Sequence, residues 1–347
     1  MQSSFENSIE HTAHPNSRQA DSLPPTLSII VPVHNGGEPF RQCLHSLSTV
    51  ASKVLEIIVV DDGGTDDSSK LAAQMGARVI RLPLSGGPAR ARNQGAQVAR
   101  GDILLFIDAD VTLTVDTIEQ VVATFRDRPH LAALIGSYDD APGSANFLSQ
   151  YKNLFHHYTH QTGWEEASTF WGACGAIRRE VFGAVGGFDE SYRHPSVEDI
   201  ELGYRLKRAG YSIQLCKQIQ VKHLKRWEVG SLLRAEIFYR ALPWTELLWR
   251  DRQFKNDLNL SHSSRLSLIL TYALVICFMA GWWWVSAWWA GIGISLILLG
   301  LNWSVYRFFY QKRGLLFTLR VIPWHWLYFL YGGLAFVIGT IRYHLYH

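Results

Sequence analysis

A stretch of 41 residues, 266–306, contains no charged side chain and limits what this 347-residue chain can fold into. A bilayer-spanning helix requires roughly 20 apolar residues, so the stretch is long enough for two such helices. Tryptophans near its middle are typical of the boundary between hydrocarbon and water. They are Trp282, Trp283, Trp284, Trp288 and Trp289. The pattern predicts a helical hairpin, 266–283 and 287–305, in a transmembrane region over 265–347. A buried globular core is the alternative.

The segment that follows the hairpin is basic. It contains Arg307, Lys312, Arg313 and Arg320, with no acidic residue between them. Because positive charge is enriched in cytoplasmic loops, we expect the loop 307–320 and the N-terminal domain to lie on the cytoplasmic side of the plasma (inner) membrane. The uncharged stretch 321–341 predicts a third span, although Pro323 and His325 also permit a re-entrant or interfacial helix. A multi-pass membrane protein is therefore expected.

The rest of the chain is of mixed polarity. Residues 1–25 are polar and lack the apolar core of a signal peptide, so we predict a disordered N-terminal lead. The 33 Lys and Arg nearly balance the 30 Asp and Glu, which gives no basic footprint for nucleic acid. The four cysteines are scattered without a C-x-x-C pair, which favours reduced thiols over a zinc site or a disulfide framework.

Residues 26–228 alternate between strand-like and helix-like segments. The continuous apolar run 103–107 is typical of a strand buried on both faces, 27–33 is predicted to be the first buried strand, and 56–60 and 77–82 are predicted to be the second and third strands. Between them, apolar residues recur at helical spacing, as at Phe40, Leu44 and Leu47. Repeated strand–helix units of roughly 30 residues predict a doubly wound α/β domain.

Two carboxylates end the last of these strands. Asp108 and Asp110 come directly after 103–107, at the strand end where open α/β sheets bind ligands. Carboxylate oxygens at this spacing suit Mg²⁺ or Mn²⁺ shared with a diphosphate. A solvated turn that caps the next helix would have the same sequence, so the surrounding motifs decide between the two interpretations.

Two classes of nucleotide-binding enzyme do not fit the turn after the first strand. A Rossmann dinucleotide enzyme needs G-x-G-x-x-G at this place, whereas the chain has PVHNGG at 32–37. A sugar-phosphate nucleotidyltransferase would have a glycine-rich loop with a Lys or Arg there, which this turn also lacks.

Four segments together resemble the family-2 inverting glycosyltransferases of GT-A fold. They are 28–35 (SIIVPVHN), 59–66 (VVDDGGTD), 91–95 (ARNQG) and 106–110 (FIDAD). The resemblance extends from about 27 to 227. It implies a GT-A glycosyltransferase domain over 26–228, a nucleoside-diphosphate sugar as donor, and Mg²⁺ or Mn²⁺ as cofactor.

The resemblance also implies the residues of the donor site. The nucleotide sugar would contact Pro32, Val33, Asn35, Asp61, Asp62, Arg92 and Asp108. Asp62 is favoured for the base and Arg92 for the neighbourhood of the diphosphate, although Arg92 could instead be a surface arginine. Asp108 and Asp110 match the metal-binding Asp-x-Asp of the family, with Asp110 the more direct ligand. Gly64 stands where the family usually has serine.

The second half of the domain is expected to bind the acceptor, with Trp171 and Gly172 in the apolar segment 169–176. Glu198 and Asp199 match the Glu-Asp pair of the family, in which the Asp is the catalytic base. Ser196-x-x-Asp199 also resembles a capping box, with Asp199 at the third helical position. The two roles are compatible, because a helix N-terminus both orients and ionises a carboxylate.

The segment 223–227 (HLKRW) resembles the Q-x-x-R-W motif of membrane polysaccharide synthases, with His223 in place of Gln. In that motif the Trp stacks on the acceptor and the Arg faces the diphosphate, which implies these roles for Trp227 and Arg226. Neutral imidazole suits Mn²⁺, so His223 is a further candidate metal ligand. Alternatively, His223 and Trp227 only pack under an interfacial helix.

Residues 229–264 are predicted to form amphipathic, interfacial helices. Apolar residues alternate with Arg234, Glu236 and Arg240, and tryptophans mix with polar residues at 242–249. Such segments are typical of helices that lie on a membrane surface, although helices packed on a soluble domain would show the same pattern.

These features predict a membrane-anchored inverting glycosyltransferase of cell-envelope polysaccharide or glycolipid synthesis. It would act at the cytoplasmic membrane face on a sugar or lipid-linked acceptor. One alternative is a processive polysaccharide synthase, for which three spans are too few to wall a channel. Another is a catalytically silent membrane subunit, against which the intact set Asp62, Asp108, Asp110 and Asp199 argues.

Overall fold

The computed structural model describes residues 24–251 and 262–346. Its strands are β1 (Leu27–Val33), β2 (Glu56–Asp62), β3 (Arg78–Leu82), β4 (Ile103–Ile107), β5 (Val111–Thr112), β6 (Ala133–Tyr138), β7 (Cys174–Arg178) and β8 (Ile213–His223). Its helices are α1 (Gly37–Val50), α2 (Ser68–Gln74), α3 (Pro88–Val98), α4 (Val115–Asp127), α5 (Phe147–Thr162), α6 (Arg179–Ala184), α7 (Glu198–Arg208), α8 (Val229–Arg234), α9 (Leu242–Asp251), α10 (His262–Ala280), α11 (Val285–Leu301) and α12 (Trp303–Tyr346). A 3₁₀ turn (Ala51–Lys53) follows α1, and a π-helical turn (Ala235–Ala241) joins α8 to α9. The predicted N-terminal lead lies almost wholly outside the described residues.

One mixed sheet organises the α/β domain, with strand order β3-β2-β1-β4-β7-β6-β8-β5. Strands β1 to β4 are parallel, as the alternation of strand and helix predicted. Strand β7 lies between β4 and β6 and is antiparallel to both. The α/β class is therefore confirmed, and β6 and β8 are again parallel to each other, so only β7 and the short β5 run against their neighbours.

The core is built from the central strands and the helices on them. Every residue of β1 and β4 is buried, which explains why β4 is a continuous apolar run and why β1, with the buried Ser28 as its one hydroxyl side chain, does not alternate between apolar and polar residues. Helix α3 lies close to the sheet at Gly95, where an added Cβ would lie 2.5 Å from Ile30 Cγ2. A larger residue at position 95 would therefore push α3 away from β1. It would also displace Arg92, which lies about one helical turn before Gly95 in α3.

Two described helices are long and apolar enough to cross a membrane: α10, and α12 over 303–345. Only 17% and 28% of their most apolar windows are buried, whereas a core helix of a soluble protein would be mostly buried. Helix α11 is shorter and packs on α10, with the ring of Trp288 5.5 Å from that of Phe278. The turn between them, 281–284, exposes three of the tryptophans.

The predicted loop 307–320 is helical in the structure, so that prediction is wrong. Helix α12 begins at Trp303 and is interrupted only at Gly314, which has φ 79°. Its first part packs on α5, where Tyr306 and Phe309 join Tyr151 in one apolar cluster. The apolar contact surface of α5 explains why this basic segment is ordered as a helix rather than left as a loop.

The second part of α12 runs along the α/β domain. It contacts α5 through Tyr328 and Phe155, and it contacts α9 through Thr340, whose Oγ1 accepts a hydrogen bond from Trp249 Nε1. Its other side exposes Leu334, Val337 and Ile341. This packing agrees with the interfacial alternative for 321–341, and a third membrane span stays a prediction.

Candidate active site

The turns after β1 and β2 form one edge of the site. Asn35 has a positive φ of 52°, and its Oδ1 accepts hydrogen bonds from the backbone N–H groups of Thr65 (2.7 Å) and Asp66 (3.2 Å). Asp61 is buried and accepts a hydrogen bond from the N–H of Gly64 (2.8 Å). A Cβ at Gly64 would lie 2.7 Å from Asp61 Oδ1, so glycine suits this chain's own turn.

Asp62 holds the turn that opens α3. Its Oδ1 accepts from the N–H of Gly86 (2.8 Å), and its Oδ2 accepts from the N–H of Gly87 (2.9 Å) and from Ser85 Oγ (2.8 Å). Both carboxylate oxygens of this buried side chain are therefore in use within the protein. Asp62 positions the Gly86-Gly87 turn, and its contact with a nucleotide base stays a prediction.

Arg92 joins two acidic residues from distant parts of the chain. Its guanidinium donates to Asp108 Oδ1 (2.7 Å) and to Glu198 Oε1 (2.9 Å), and it lies 5.3 Å from the ring centroid of Phe188. The side chain is only 5% exposed, so the surface-arginine alternative is wrong. Burial lowers the pKa of Arg92, but the attraction of Asp108 and Glu198 outweighs it and the net pKa is raised. The guanidinium is permanently charged and fixes the end of β4 to the start of α7.

Asp199 lies beside this ion-pair cluster. Its Oδ2 accepts a hydrogen bond from the N–H of Gly172 (3.1 Å), and its Oδ1 accepts one from the N–H of Ile200 (2.8 Å). Burial and repulsion by Glu198 raise the pKa of Asp199 to about 6. A carboxylate with this pKa can take up a proton near neutral pH, which is what a general base requires.

The predicted capping box at Ser196 is not formed. Helix α7 begins at Glu198 with Val197 as its N-cap residue, so Asp199 is the second helical residue and not the third. The N–H of Ser196 donates instead to Glu198 Oε2 (2.8 Å). Arg92 binds one carboxylate oxygen of Glu198 and the N–H of Ser196 binds the other, so Glu198 fixes the first turn of α7. Asp199 follows it in the sequence and faces the site.

Asp110 and His223 form a second pair near the end of β4. Asp110 Oδ2 lies 3.5 Å from His223 Nε2, and His223 Nδ1 lies 3.2 Å from Asn153 Oδ1. Burial raises the pKa of Asp110, but the charge and hydrogen bond of His223 outweigh it, so the net pKa is lowered. The imidazole also stacks on Tyr138, with ring centroids 4.4 Å apart. These contacts fix its orientation toward Asp110.

The described residues include no group of three or more His, Cys, Asp or Glu placed to hold a metal ion by themselves. Asp108 is occupied by Arg92, which leaves Asp110 and His223 as the available pair. Two protein ligands fit a cation that completes its shell with water and with substrate phosphate oxygens, as Mg²⁺ commonly does. The donor set therefore fits a shared metal and does not fit a cage made by the protein alone.

The predicted acceptor residues are divided between two places. Trp171 is buried against Tyr138, His156 and His160, next to Gly172 and Asp199. Trp227 packs with Leu148 and Leu232, which agrees with the alternative that Trp227 only packs under a helix. Arg226 is 70% exposed and forms an ion pair with Glu228. The acceptor roles of Arg226 and Trp227 stay predictions, and the structure does not bring these two side chains to Asp199.

A cavity of about 440 Å³ adjoins Asp199 and extends between the α/β domain and helices α10 and α12. Four charged side chains that line it were not identified from the sequence as site residues: Lys152, Glu236, Arg240 and Arg265. Glu236 is 5% exposed and pairs with Lys152 at 2.6 Å, while Phe238 is 60% exposed. The predicted amphipathic helix thus buries Leu232 and exposes Arg234 as expected, but it has Glu236 inward and Phe238 outward. One feature of the sequence could have indicated these buried charges: Lys152 is a cation among the apolar and aromatic residues of 147–158.

Two family models match parts of the chain. Residues 28–186 match the family model of glycosyl transferase family 2, and residues 153–228 match that of the N-terminal domain of galactosyltransferase. A pre-mycofactocin glycosyltransferase of Mycobacterium tuberculosis is 29% identical over 224 residues, 61% of this chain and 46% of that protein. The O-antigen chain rhamnosyltransferase WbaN of Salmonella anatum is 26% identical over 244 residues, 64% of this chain and 75% of that protein.

The solved structure of the mannosyltransferase PcManGT from Pyrobaculum calidifontis, in complex with GDP-Man and Mn²⁺, has a TM-score of 0.61. It is 18% identical, and the match covers 91% of this chain and 88% of that one. At this identity the likeness shows a shared fold. The chain spans between 26% and 46% of the length of several curated relatives that it matches.

Proposed function

We propose that this chain, which carries a glycosyl transferase family 2 domain, transfers a sugar from a nucleoside diphosphate to an acceptor oxygen with inversion at the anomeric carbon. The names of its relatives, a rhamnosyltransferase and a pre-mycofactocin glycosyltransferase, support glycosyl transfer as the reaction class. The fold neighbour was solved with GDP-Man and Mn²⁺, which supports a nucleoside-diphosphate sugar as donor.

One observation carries the proposal: Arg92 brings Asp108 at the end of β4 next to Glu198 and Asp199 at the start of α7. Asp108 belongs to the donor side of the site and Asp199 to the acceptor side. In a direct displacement the donor and the acceptor must bind next to each other. The base must lie on the face of the sugar opposite the leaving group. The buried guanidinium holds the two sides at this separation before any substrate binds.

In the proposed reaction, Asp199 accepts the proton of the acceptor O–H while that oxygen forms a bond to the anomeric carbon. The bond from that carbon to the diphosphate breaks, and its electron pair leaves with the nucleoside diphosphate. The N–H of Gly172 holds Asp199 in place, so little reorganisation is needed at the moment of transfer. A divalent cation held by Asp110 and His223 would supply Lewis-acid stabilisation to the leaving diphosphate.

We also propose that the chain is anchored in a membrane with the transferase domain on the cytoplasmic side. Helices α10 and α12 are long and apolar enough, and the exposed tryptophans lie at the α10–α11 turn. Lys312, in the basic segment, forms an ion pair with Asp140 of the transferase domain at 2.6 Å. This contact supports placing the basic segment and the domain on the same side of the bilayer.

Release of nucleoside diphosphate tests the reaction. We expect purified full-length protein to release it from one member of a panel of UDP-, GDP-, dTDP- and CDP-linked sugars, and to release it faster when membrane lipid extract is added. Analysis of the product by NMR should show inverted anomeric configuration. Retained configuration, or no release from any donor with Mg²⁺ or Mn²⁺ and lipid extract present, would contradict the proposal.

Removal of the metal is expected to stop turnover. EDTA should abolish nucleoside diphosphate release, and Mn²⁺ or Mg²⁺ should restore it. Asp110→Asn should raise the metal concentration needed for half-maximal rate by at least about 10-fold, because the amide loses the charge of a hard oxygen ligand. Asp127→Asn, at an exposed position away from the site, is the matched control and should behave as wild type. Full turnover of Asp110→Asn in EDTA would exclude the metal role.

A further inference from the structure

The cavity beside Asp199 has walls from two different parts of the chain. Thr169, Phe170 and Trp171 line it from the transferase domain. Leu268 and Ile269 of α10 line the opposite side, together with Phe329 and Phe336 of α12. Its volume of about 440 Å³ is within the range of small-molecule sites. A soluble sugar acceptor gains little from such walls, whereas a hydrocarbon chain is stabilised by every apolar surface that it covers.

The two helices in this wall are the same two that are long and apolar enough to cross a membrane. Leu266 and Ile276 of α10, and Val337 of α12, are exposed on the outer surface of the pair. The apolar part of the cavity is therefore continuous with the part of the protein that suits a bilayer. Ser264 and Arg265, near the start of α10, are the polar residues that this helix adds to the lining.

The end of the cavity near Asp199 carries a cation without a direct partner. Lys152 and Glu236 neutralise each other at 2.6 Å. Arg240, one helical turn after Glu236, also lines the cavity, and among the described residues no ion pair or hydrogen bond to its guanidinium is formed. It is close enough to Asp199 and Glu236 for their charges to raise its pKa against the effect of burial. His156 Nδ1 is also buried in this lining without a hydrogen-bond partner.

Arg240 lies in a π-helical turn. In the turn Ala235–Ala241, Glu236 and Arg240 both line the cavity, as residues four apart on one helix face do, and Phe238 is 60% exposed. Leaving a guanidinium in an apolar cavity is costly unless an anion meets it. The unoccupied bidentate donor geometry of arginine fits a phosphate.

We propose that this cavity binds the acceptor, and that the acceptor is a membrane lipid with a terminal phosphate monoester. The phosphate lies at Arg240 and His156, and the hydrocarbon chain lies between α10 and α12. This inference rests on the proposed function and adds the substrate class of the same site. In its monoanionic form the phosphate gives its one remaining O–H proton to Asp199, that oxygen bonds to the anomeric carbon, and the nucleoside diphosphate leaves with the electron pair. The product is a glycosyl phosphodiester of the lipid.

The first test compares three acceptors with the full-length protein in detergent and a radiolabelled donor. Farnesyl phosphate carries both the chain and the phosphate, farnesol lacks the phosphate, and inorganic phosphate lacks the chain. We expect label to enter the organic phase with farnesyl phosphate only. Equal transfer to farnesol would overturn the phosphate part of the proposal, and equal transfer to inorganic phosphate, measured as labelled sugar phosphate in the aqueous phase, would overturn the lipid part.

The second test fills the cavity. Gly332 of α12 lines it, and a Cβ at this position meets no atom within 4 Å, so Gly332→Leu adds a side chain into the cavity without a backbone clash. Gly293→Leu is the matched control, because Gly293 of α11 has the same free space and does not line the cavity. We expect Gly332→Leu to raise the KM for farnesyl phosphate by at least about 10-fold, the effect of losing little more than 1.4 kcal/mol of binding. Gly293→Leu should leave it unchanged.

The third test addresses the cation. Arg240→Gln should raise the KM for farnesyl phosphate by about 10- to 100-fold, the range expected for a lost charge-assisted hydrogen bond, with the donor KM close to wild type. Arg240→Lys should restore part of the affinity, because it keeps the charge but not the bidentate geometry. If Arg240→Gln and Gly332→Leu both retain the wild-type KM, the cavity is not the acceptor site.

Equilibrium binding of farnesyl phosphate, measured in the presence of nucleoside diphosphate, separates this inference from the proposed function. If the protein shows no transfer with any donor but wild type binds farnesyl phosphate and Gly332→Leu does not, the reaction is wrong and the site stands. If donor is hydrolysed normally and neither wild type nor variants bind farnesyl phosphate, the reaction stands and the lipid site is wrong.

Discussion

Replacing Asp199 by asparagine is expected to lower the transfer rate by about 10²- to 10⁴-fold, the usual contribution of a general base. The amide can still accept the hydrogen bond that the N–H of Gly172 gives to the carboxylate. It also removes the repulsion by Glu198 that helps to raise the pKa of Asp199. The variant should therefore fold and bind donor as wild type does, and fail only when the acceptor proton must leave.

Asp116→Asn is the matched control, because Asp116 is the second residue of α4 as Asp199 is the second residue of α7. It tests the loss of a charge at a helix N-terminus, which costs roughly 0.3–1 kcal/mol and should not affect transfer. Melting temperature with nucleoside diphosphate and single-turnover transfer rate are the two measurements. An Asp199→Asn protein that keeps most of its transfer rate would contradict the assignment, and Glu198 would be examined next.

The pH profile of wild type provides a second readout of the same residue. The pKa of Asp199 is raised to about 6, and only the ionised carboxylate can accept a proton. The rate should therefore be constant above pH 6 and fall about tenfold for each pH unit below it. In Asp199→Asn the residual rate should lose this dependence. A wild-type rate that stays level down to pH 4 would exclude a base with this pKa.

The first half of the domain was predictable because its signals are local. Strand β4 is a continuous apolar run and β1 is apolar except for Ser28 and Pro32, while Asp61 and Asp62 end β2 and Asp108 and Asp110 follow β4. The direction of β7 was not predictable, because an antiparallel strand buried on both faces has the same apolar composition as a parallel one.

The hydrogen-bond and ion-pair partners of the site residues could not be predicted from the sequence. Arg92 and Glu198 are 106 residues apart, and only the fold shows that they share a hydrogen bond. The orientation of 232–240 was wrong for a similar reason. Charge alone predicts an outer position for Glu236 and Arg240, whereas Glu236 lies four residues after the buried Leu232, on the same helix face, and pairs with Lys152 of α5. Burial of these charges depends on a side chain more than 80 residues away.

Replacing Arg92 by glutamine is expected to destabilise the transferase domain by about 3–5 kcal/mol, because it leaves a buried carboxylate without its partner. Glu198 is 5% exposed and depends on this guanidinium, whereas Asp108 is 33% exposed and can be solvated in part. The larger share of the lost free energy of unfolding should therefore come from the unpaired Glu198. Urea denaturation of wild type and variant, followed by circular dichroism, measures the free energy of unfolding.

A double-mutant cycle identifies that share. Glu198→Gln in the Arg92→Gln background removes the orphaned charge, so the double variant should be more stable than Arg92→Gln alone and recover at least half of the lost free energy. Arg41→Gln is the control, since its ion pair with Asp67 is half exposed on both sides and should be worth less than about 1 kcal/mol. If Arg92→Gln costs no more than Arg41→Gln, the guanidinium does not hold the donor and acceptor sides together. The close approach of Gly172 to Arg92, where a Cβ would lie 2.8 Å from the guanidinium, would then need another explanation.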